Sequence, residues 1–262
     1  MSAAMTFADA KQRFSNRATN YARYRPGYPR EVLALLRSWC KLKPEHAIAD
    51  IGSGTGLLSK LFLEHGNQVF GVEPNSEMRA AGEEFLKTYK GFTSVAGSAE
   101  VTTLSSNSVD LVAAAQAFHW FDPEPTRREF QRILKLEGRV IVLWNERLLD
   151  DTAFLRDYEA LLVRFGTDYS RVNESYPRAE QMLAFFGANE FTSRSLPNFQ
   201  EFDSEALSGR LRSSSYAPAP GHPNYAPMME ELQRIFATHQ KNGVVRMEYR
   251  TRIYSGKLDP TG

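Results

Sequence analysis

The run Ala47-Ile48-Ala49-Asp50-Ile51-Gly52-Ser53-Gly54-Thr55-Gly56 constrains this chain more than any other stretch. A short apolar strand closes near an acid, three glycines alternate, and an amphipathic helix opens at Leu57. Glycines at a strand-to-helix turn let the backbone approach a ligand closely. A second acid, Glu73, ends the next apolar strand, Gln68-Val69-Phe70-Gly71-Val72, and an acid at that position suits a ribose diol. Together these features predict a site for a nucleoside-bearing cofactor.

Two cofactor classes use such a turn. In the NAD type the loop receives a pyrophosphate and the spacing is G-x-G-x-x-G. Here the spacing is Gly52-x-Gly54-x-Gly56, and Leu57 stands where the third glycine of the NAD pattern belongs. The carboxylate of Asp50, beside the first glycine, would repel a diphosphate and would attract an ammonium group. S-adenosylmethionine (SAM) carries that ammonium, offers a ribose to Glu73 and has no phosphate. A tight glycine turn with no ligand is the plain alternative.

Apolar periodicity lays strands and helices out in alternation. A helix is expected over 31–42, then strand one at 47–51, a helix at 57–65, strand two at 68–73 and a helix from Asn75 through Phe85. Strand three follows at 92–95, strand four at 109–115, a helix at 126–136 and strand five at 139–144. That alternation implies an α/β fold with a mostly parallel sheet and its ligands at the strands' C-terminal ends. Past Asn145 the rhythm changes. Helices are expected at 149–165, 179–186, 204–212 and 228–239, with an extended segment near 190–196 and a long antiparallel edge strand at 244–254.

The pattern Asp50-x-Gly52-x-Gly54-x-Gly56, followed by Glu73, resembles motif I of the class I SAM-dependent methyltransferases. Within that class the chain is similar to the type 11, ubiquinone-biosynthesis-like group. The exit of strand four, Gln116-Ala117-Phe118-His119-Trp120-Phe121-Asp122, and the N-terminal Tyr21-Ala22-Arg23-Tyr24-Arg25-Pro26-Gly27-Tyr28-Pro29 look like the trans-aconitate methyltransferase-like branch. The resemblance implies a Rossmann-like sandwich with a seven-stranded, mostly parallel sheet, an antiparallel last strand and a mainly helical cap inserted late in the chain. It divides the chain into an N-terminal segment closing over the cofactor (1–30), a SAM-binding core (31–150), a cap containing strand six (151–243) and the final strand (244–262).

Site residues follow from both readings. Asp50 is expected to hold the SAM amino group, or else to cap the turn through glycine amides. Glu73 is expected on the ribose, the turn Gly52, Ser53, Gly54, Thr55 and Gly56 around the cofactor, and Pro74 and Met78 as walls to the adenine, although a helix-face methionine also serves a core. The resemblance places Ser98, Ala99 and Glu100 beside adenine, with Ser98 standing where an aspartate is common. It also places Tyr21 and Arg25 at the methionine end, where a guanidinium binds a carboxylate bidentately. Gln116, His119 and Trp120 leave strand four beside the methyl group and are the candidate catalytic residues. His119 is the one nearby base for a hydroxyl or amine acceptor. In the cap, Arg210, Arg212, Ser213, Ser215 and Tyr216 could receive an anion, against the commoner expectation of an exposed charged helix.

Composition narrows the partners. The 262 residues carry a net charge of +1, which supplies no general field for nucleic acid. The single cysteine, Cys40, excludes an internal disulfide and a thiolate zinc cluster, and its position suits no pyrimidine-attacking thiolate. A reducing, cytoplasmic setting is expected, with no secretory signal, no membrane span and no metal. Strand four lacks the N/D-P-P-Y/F signature tied to methylation of nucleic-acid bases. A small-molecule acceptor, methylated on a carboxylate or hydroxyl oxygen, is the leading expectation. An RNA or protein methyltransferase and a non-catalytic SAM-binding regulator are the alternatives. The sequence leaves monomer and dimer equally open.

Overall fold

The computed structural model describes residues 24–167, 169, 179–187 and 191–258. Its elements run α1 (Glu31–Cys40), β1 (Ala47–Ile51), α2 (Leu57–His65), β2 (Gln68–Val72), α3 (Ser76–Leu86), β3 (Phe92–Val95) and β4 (Val109–Ala115). A 3-10 turn (Phe118–Trp120), α4 (Pro123–Ile133), β5 (Leu134–Arg147), α5 (Ala153–Phe165) and α6 (Ala179–Phe186) follow. The chain then forms β6 (Thr192–Phe202), α7 (Ser204–Arg212), α8 (Tyr225–His239) and β7 (Val245–Gly256). Helix starts have local causes. The Asn75 carboxamide accepts from the N–H groups of Glu77 and Met78, and Asp203 accepts from Ala206, so the first turns of α3 and α7 are capped.

The seven strands lie in the order β3-β2-β1-β4-β5-β7-β6. β1 to β5 pair in parallel, and β7 runs antiparallel to both of its neighbours. Strand order reverses between β1 and β4, which is where an open α/β sheet leaves a crevice for a ligand. Side chains alternate across the sheet. Ile141 and Leu143 of β5 meet α1 and α2 through Val32, Leu36, Leu58 and Phe62. Val140, Val142 and Trp144 meet α4 and α6 on the other face through Phe130, Ile133 and Phe186.

The sequence expectation of an edge position for the last strand is corrected here. β7 sits between β5 and β6, and its final four residues are all buried. Alternation reports a half-buried strand, not its place in the sheet. The edge belongs to β6, which is largely exposed and carries Pro197, a residue that edge strands tolerate. β5 also begins earlier than expected, because Leu134 already pairs with Val109.

β7 pairs with β6 as far as Val245↔Phe202, whereas its pairing with β5 stops at Arg147↔Tyr249. The β6–β7 ribbon therefore projects past the C-terminal end of β5. On it α5, α7 and α8 build a separate core containing Leu155, Leu162, Leu207, Leu211, Leu232, Phe202 and Met247. Asn145 joins the parts. Its side-chain N–H donates to the carbonyl of Gly27 (3.1 Å), and its oxygen accepts from Thr251 Oγ1 (2.6 Å) and Asn198 (3.2 Å).

Asn145→Ala would leave the buried Thr251 hydroxyl without its acceptor and release the strap at Gly27. The expected loss is about 2–3 kcal/mol of stability by urea unfolding, and a midpoint equal to wild type would refute this role.

Candidate functional site

A cleft of about 900 Å³ opens at the switch point. Its floor is the glycine turn between β1 and α2. Gly52 has φ 67° and lies so close to the 3-10 turn that a Cβ there would meet the Ala117 Cβ at 2.6 Å. Only glycine fits both the angle and the gap. Asp50, Gly52, Ser53, Gly54 and Thr55 line the cleft together with Glu73, Pro74, Met78, Ala99, Gln116 and Trp120.

The two acids are held differently. Asp50 is fully buried, and the Ser59 hydroxyl donates to its Oδ2 at 2.6 Å. Burial pushes its pKa up to about 7, against the bonds from Ser59 and with a small push from Glu73. Glu73 is also raised by burial, moderated by the N–H groups of Asn75 (2.9 Å) and Gly54 (3.0 Å) that donate to its two oxygens. Among the described residues it is Glu73 that accepts from a glycine amide, whereas Asp50 accepts from Ser59.

Trp120 and Gln116 stand on the opposite wall. Gln116 has φ 57°, an uncommon angle for a residue with a side chain, at the end of β4. Its Nε2 donates to the Asn145 carbonyl at 3.0 Å, which fixes its carboxamide. His119 is not a lining residue. Its ring packs on Trp120 (4.5 Å between centroids) and on Trp144 (5.1 Å), and its Nδ1 has no hydrogen-bond partner among the described residues. Desolvation lowers its pKa to about 4.

Other expectations meet a different geometry. Gly56 faces away from the cleft, where a Cβ would meet Leu86 Cδ1 at 2.5 Å. Ser98 accepts from the Val101 N–H and Glu100 from the Asp122 N–H, so Ala99 alone of that trio lines the cleft. Arg25 points to the cap: its Nη2 donates to the Ser213 carbonyl at 3.2 Å. Tyr21 lies outside the described residues. From the N-terminal segment it is Tyr28 that reaches the cleft, and Leu57, Leu58, Asn75, Ala115, Ala117 and Phe121 complete the lining. Asn75 could have been found from its place directly after Glu73-Pro74 as a helix cap. Tyr28 belongs to the aromatic-basic segment already singled out.

The lining suits a cationic amino-acid tail and a ribose. It holds two carboxylates and, among the described residues, no lysine or arginine. A pyrophosphate would meet uncompensated negative charge there. Asp50 has no cationic partner among the described residues, and the buried Thr55 hydroxyl has no hydrogen-bond partner among them. These are groups for a ligand to satisfy.

The sheet order, the glycine turn at its switch point and this lining define a Rossmann-like, class I methyltransferase fold. A family model described as a methyltransferase domain, type 11, matches residues 49–142. An uncharacterized methyltransferase of Mycobacterium tuberculosis is 35% identical over 143 residues, 53% of this chain and 54% of its own. The chain thus spans about half the length of the mycobacterial relatives it matches. An uncharacterized methyltransferase-like protein of Schizosaccharomyces pombe is 25% identical over 252 residues, 94% of this chain and 96% of its own. A candidate type II methyltransferase from Anaeromyxobacter dehalogenans shares the fold with a TM-score of 0.66 at 22% identity, over 91% of this chain and all of that one. A phosphoethanolamine N-methyltransferase of Haemonchus contortus, solved with S-adenosylhomocysteine, has a TM-score of 0.56 at 17% identity, over 97% of this chain and 59% of that one. Residues 49–142 thus match a type 11 methyltransferase domain, and the fold that surrounds them is that of the class I methyltransferases.

Because the folded-state pKa of Asp50 lies above its ordinary 3.8, its contribution to stability is full below about pH 4 and is lost as pH rises through about 7. Asp50→Asn should therefore raise the unfolding temperature of the free protein by about 4 °C at pH 8, with a smaller change at pH 5. Thermal scans showing an equal or larger gain at pH 5 would refute the buried-acid account.

Proposed function

We propose that the protein transfers a methyl group from SAM to an oxygen of a small-molecule acceptor seated between the cleft and the cap. The observation that supports this most directly is the pairing of Asp50 and Glu73 in one cleft with no basic residue among its described lining. In this reading Asp50 binds the cofactor's ammonium and Glu73 its ribose hydroxyls, while Met78, Pro74 and Ala99 enclose the adenine. The bound cofactor supplies a methyl group on a positively charged sulfur, which is already a strong electrophile.

The chain's own task is then alignment and exclusion of water. The Gln116 carboxamide, fixed by Asn145, and the Trp120 ring form the wall where the acceptor approaches. An aromatic face next to a sulfonium is electrostatically favourable. His119 is a poor general base, since a group with a pKa of about 4 retains little affinity for a proton at neutral pH. Its role is to support Trp120 by packing. That fits an acceptor oxygen already ionised, such as a carboxylate, which needs no base. Balanced charge and the Gln116-Ala117-Phe118-His119 strand exit favour a small molecule over a polymer.

Transfer of tritium from labelled SAM into metabolite fractions tests the proposal directly. Label in the low-molecular-weight fraction supports it; label confined to RNA or protein, or S-adenosylhomocysteine binding without any transfer, would overturn it. Cofactor affinity should fall as pH drops below about 7, by up to about tenfold per unit, because binding must first displace the Asp50 proton. Calorimetry showing a flat profile from pH 8 to pH 5.5 would remove Asp50 from ammonium binding. His119→Phe should keep kcat within about threefold, whereas loss of a true general base costs about a hundredfold or more.

A further inference from the structure

Among the described residues, the cap buries a guanidinium that no carboxylate neutralises. Arg210, expected on an exposed helix face, is 4% accessible, and no carboxylate among the described residues pairs with it. Its Nε donates to Tyr249 Oη at 3.4 Å and its Nη1 to Ser214 Oγ at 2.9 Å. Arg147, equally buried, is bonded to Glu159 and donates to Tyr169 Oη at 2.8 Å, and its guanidinium lies 5.2 Å from the Tyr158 ring centroid. Arg25 approaches from the N-terminal segment and donates to the Ser213 carbonyl. Among the described residues, the carboxylate that pairs with Arg147 is Glu159, and none pairs with Arg210.

Removing a guanidinium from water is expensive unless an anion accompanies it. Hydroxyls satisfy part of Arg210's hydrogen-bonding capacity but none of its charge. The same region contains a second open valence. The Tyr158 hydroxyl is 1% accessible and has no hydrogen-bond partner among the described residues, although Arg210, Arg147, Tyr216 and Tyr249 all lie close enough to act on it. Burial would raise the Tyr216 hydroxyl, yet Arg210, Arg147 and Arg25 together hold it below its ordinary value. The field in this region favours a negative ligand.

Its position ties it to the reaction. Arg147 lies two residues beyond Asn145 on β5, and the Asn145 carbonyl receives the Gln116 carboxamide that lines the cleft. Arg25 lies three residues before Tyr28, another lining residue. The cluster therefore stands at the C-terminal end of β5, two residues beyond Asn145, where Tyr249 pairs with Arg147 and accepts from Arg210.

We propose that Arg147, Arg210 and Arg25, with Tyr158 as an additional donor, bind an oxyanion group of the acceptor, a carboxylate or a phosphate, and so select anionic small molecules. This rests on the reading of the cleft as the methyl-donor site, and it deepens that reading by naming the acceptor's charge. The anionic group held in the cap anchors the acceptor; a different atom of it faces the cleft.

Calorimetric titration with S-adenosylhomocysteine first tests the cofactor reading alone; absence of binding would overturn that reading and this one with it. The saturated protein is then titrated with succinate, glutarate and phenylacetate, with glycerol 3-phosphate and phenyl phosphate, and with glycerol and benzyl alcohol as uncharged controls. At least one acid should bind and the uncharged controls should not, the carboxylate and phosphate arms distinguishing the two anion sources. Arg210→Met should weaken that acid by about tenfold or more while S-adenosylhomocysteine affinity stays within about twofold. Tyr158→Phe removes one hydroxyl that has no partner among the described residues. It should leave the unfolding temperature unchanged or higher and weaken the acid by about threefold or more. No acid bound at about 10 mM with S-adenosylhomocysteine in place would overturn the proposal, as would acid affinity unchanged in Tyr158→Phe or Arg210→Met. If Arg210→Met does not fold, the Tyr158→Phe titration decides alone.

Discussion

One carbonyl organises the cofactor end of this molecule. The oxygen of Val72, at the end of β2, receives the N–H groups of both Gly52 (2.8 Å) and Ser53 (3.2 Å). That shared contact bends the chain out of β1 and binds the turn to the neighbouring strand. It follows that Asp50 and Glu73, at the ends of β1 and β2, open into the same cleft. Glu73 then completes the closure by accepting from Gly54. A side chain at Gly52 would force the turn away from Ala117 and separate the two acids.

Two kinds of charge stand above the sheet's C-terminal ends, and they are segregated. The cleft gathers buried carboxylates, whereas the cap gathers buried guanidinium groups. Gln116, Asn145 and Gly27 run between them through hydrogen bonds. A cation is suited to one side and an anion to the other, and in the proposed reaction the methyl group would pass across the boundary. A mechanism that relies on alignment more than on acid-base chemistry fits this division, and the lowered pKa of His119 agrees with it.

The core was legible because its signals are local. The alternating glycines, the apolar strand runs and the capping Asn75 report on backbone angles and burial within a few residues of themselves. The cap was not, because its meaning is tertiary. Arg210 reads as a surface charge on a short helix until β7 brings Tyr249 against it. Val244 to Tyr254 reads as an edge until β6 covers its open side. His119 reads as a base from its place after β4, but partial burial between Trp120 and Trp144 lowers its affinity for a proton. Arg25 and Tyr28 belong to one segment, and only packing determines which of them faces the cleft.

The ribbon formed by β6 and β7 outruns β5 and carries the second core beyond the sheet. Such a cantilever separates two evolutionary demands. In the proposed reading, substitutions that reshape α7 or α8 would alter the ceiling over the acceptor, while the glycine turn after β1 lies four strands inward from β6. A lineage could therefore change what it methylates by remodelling the overhang, with the donor machinery inherited intact.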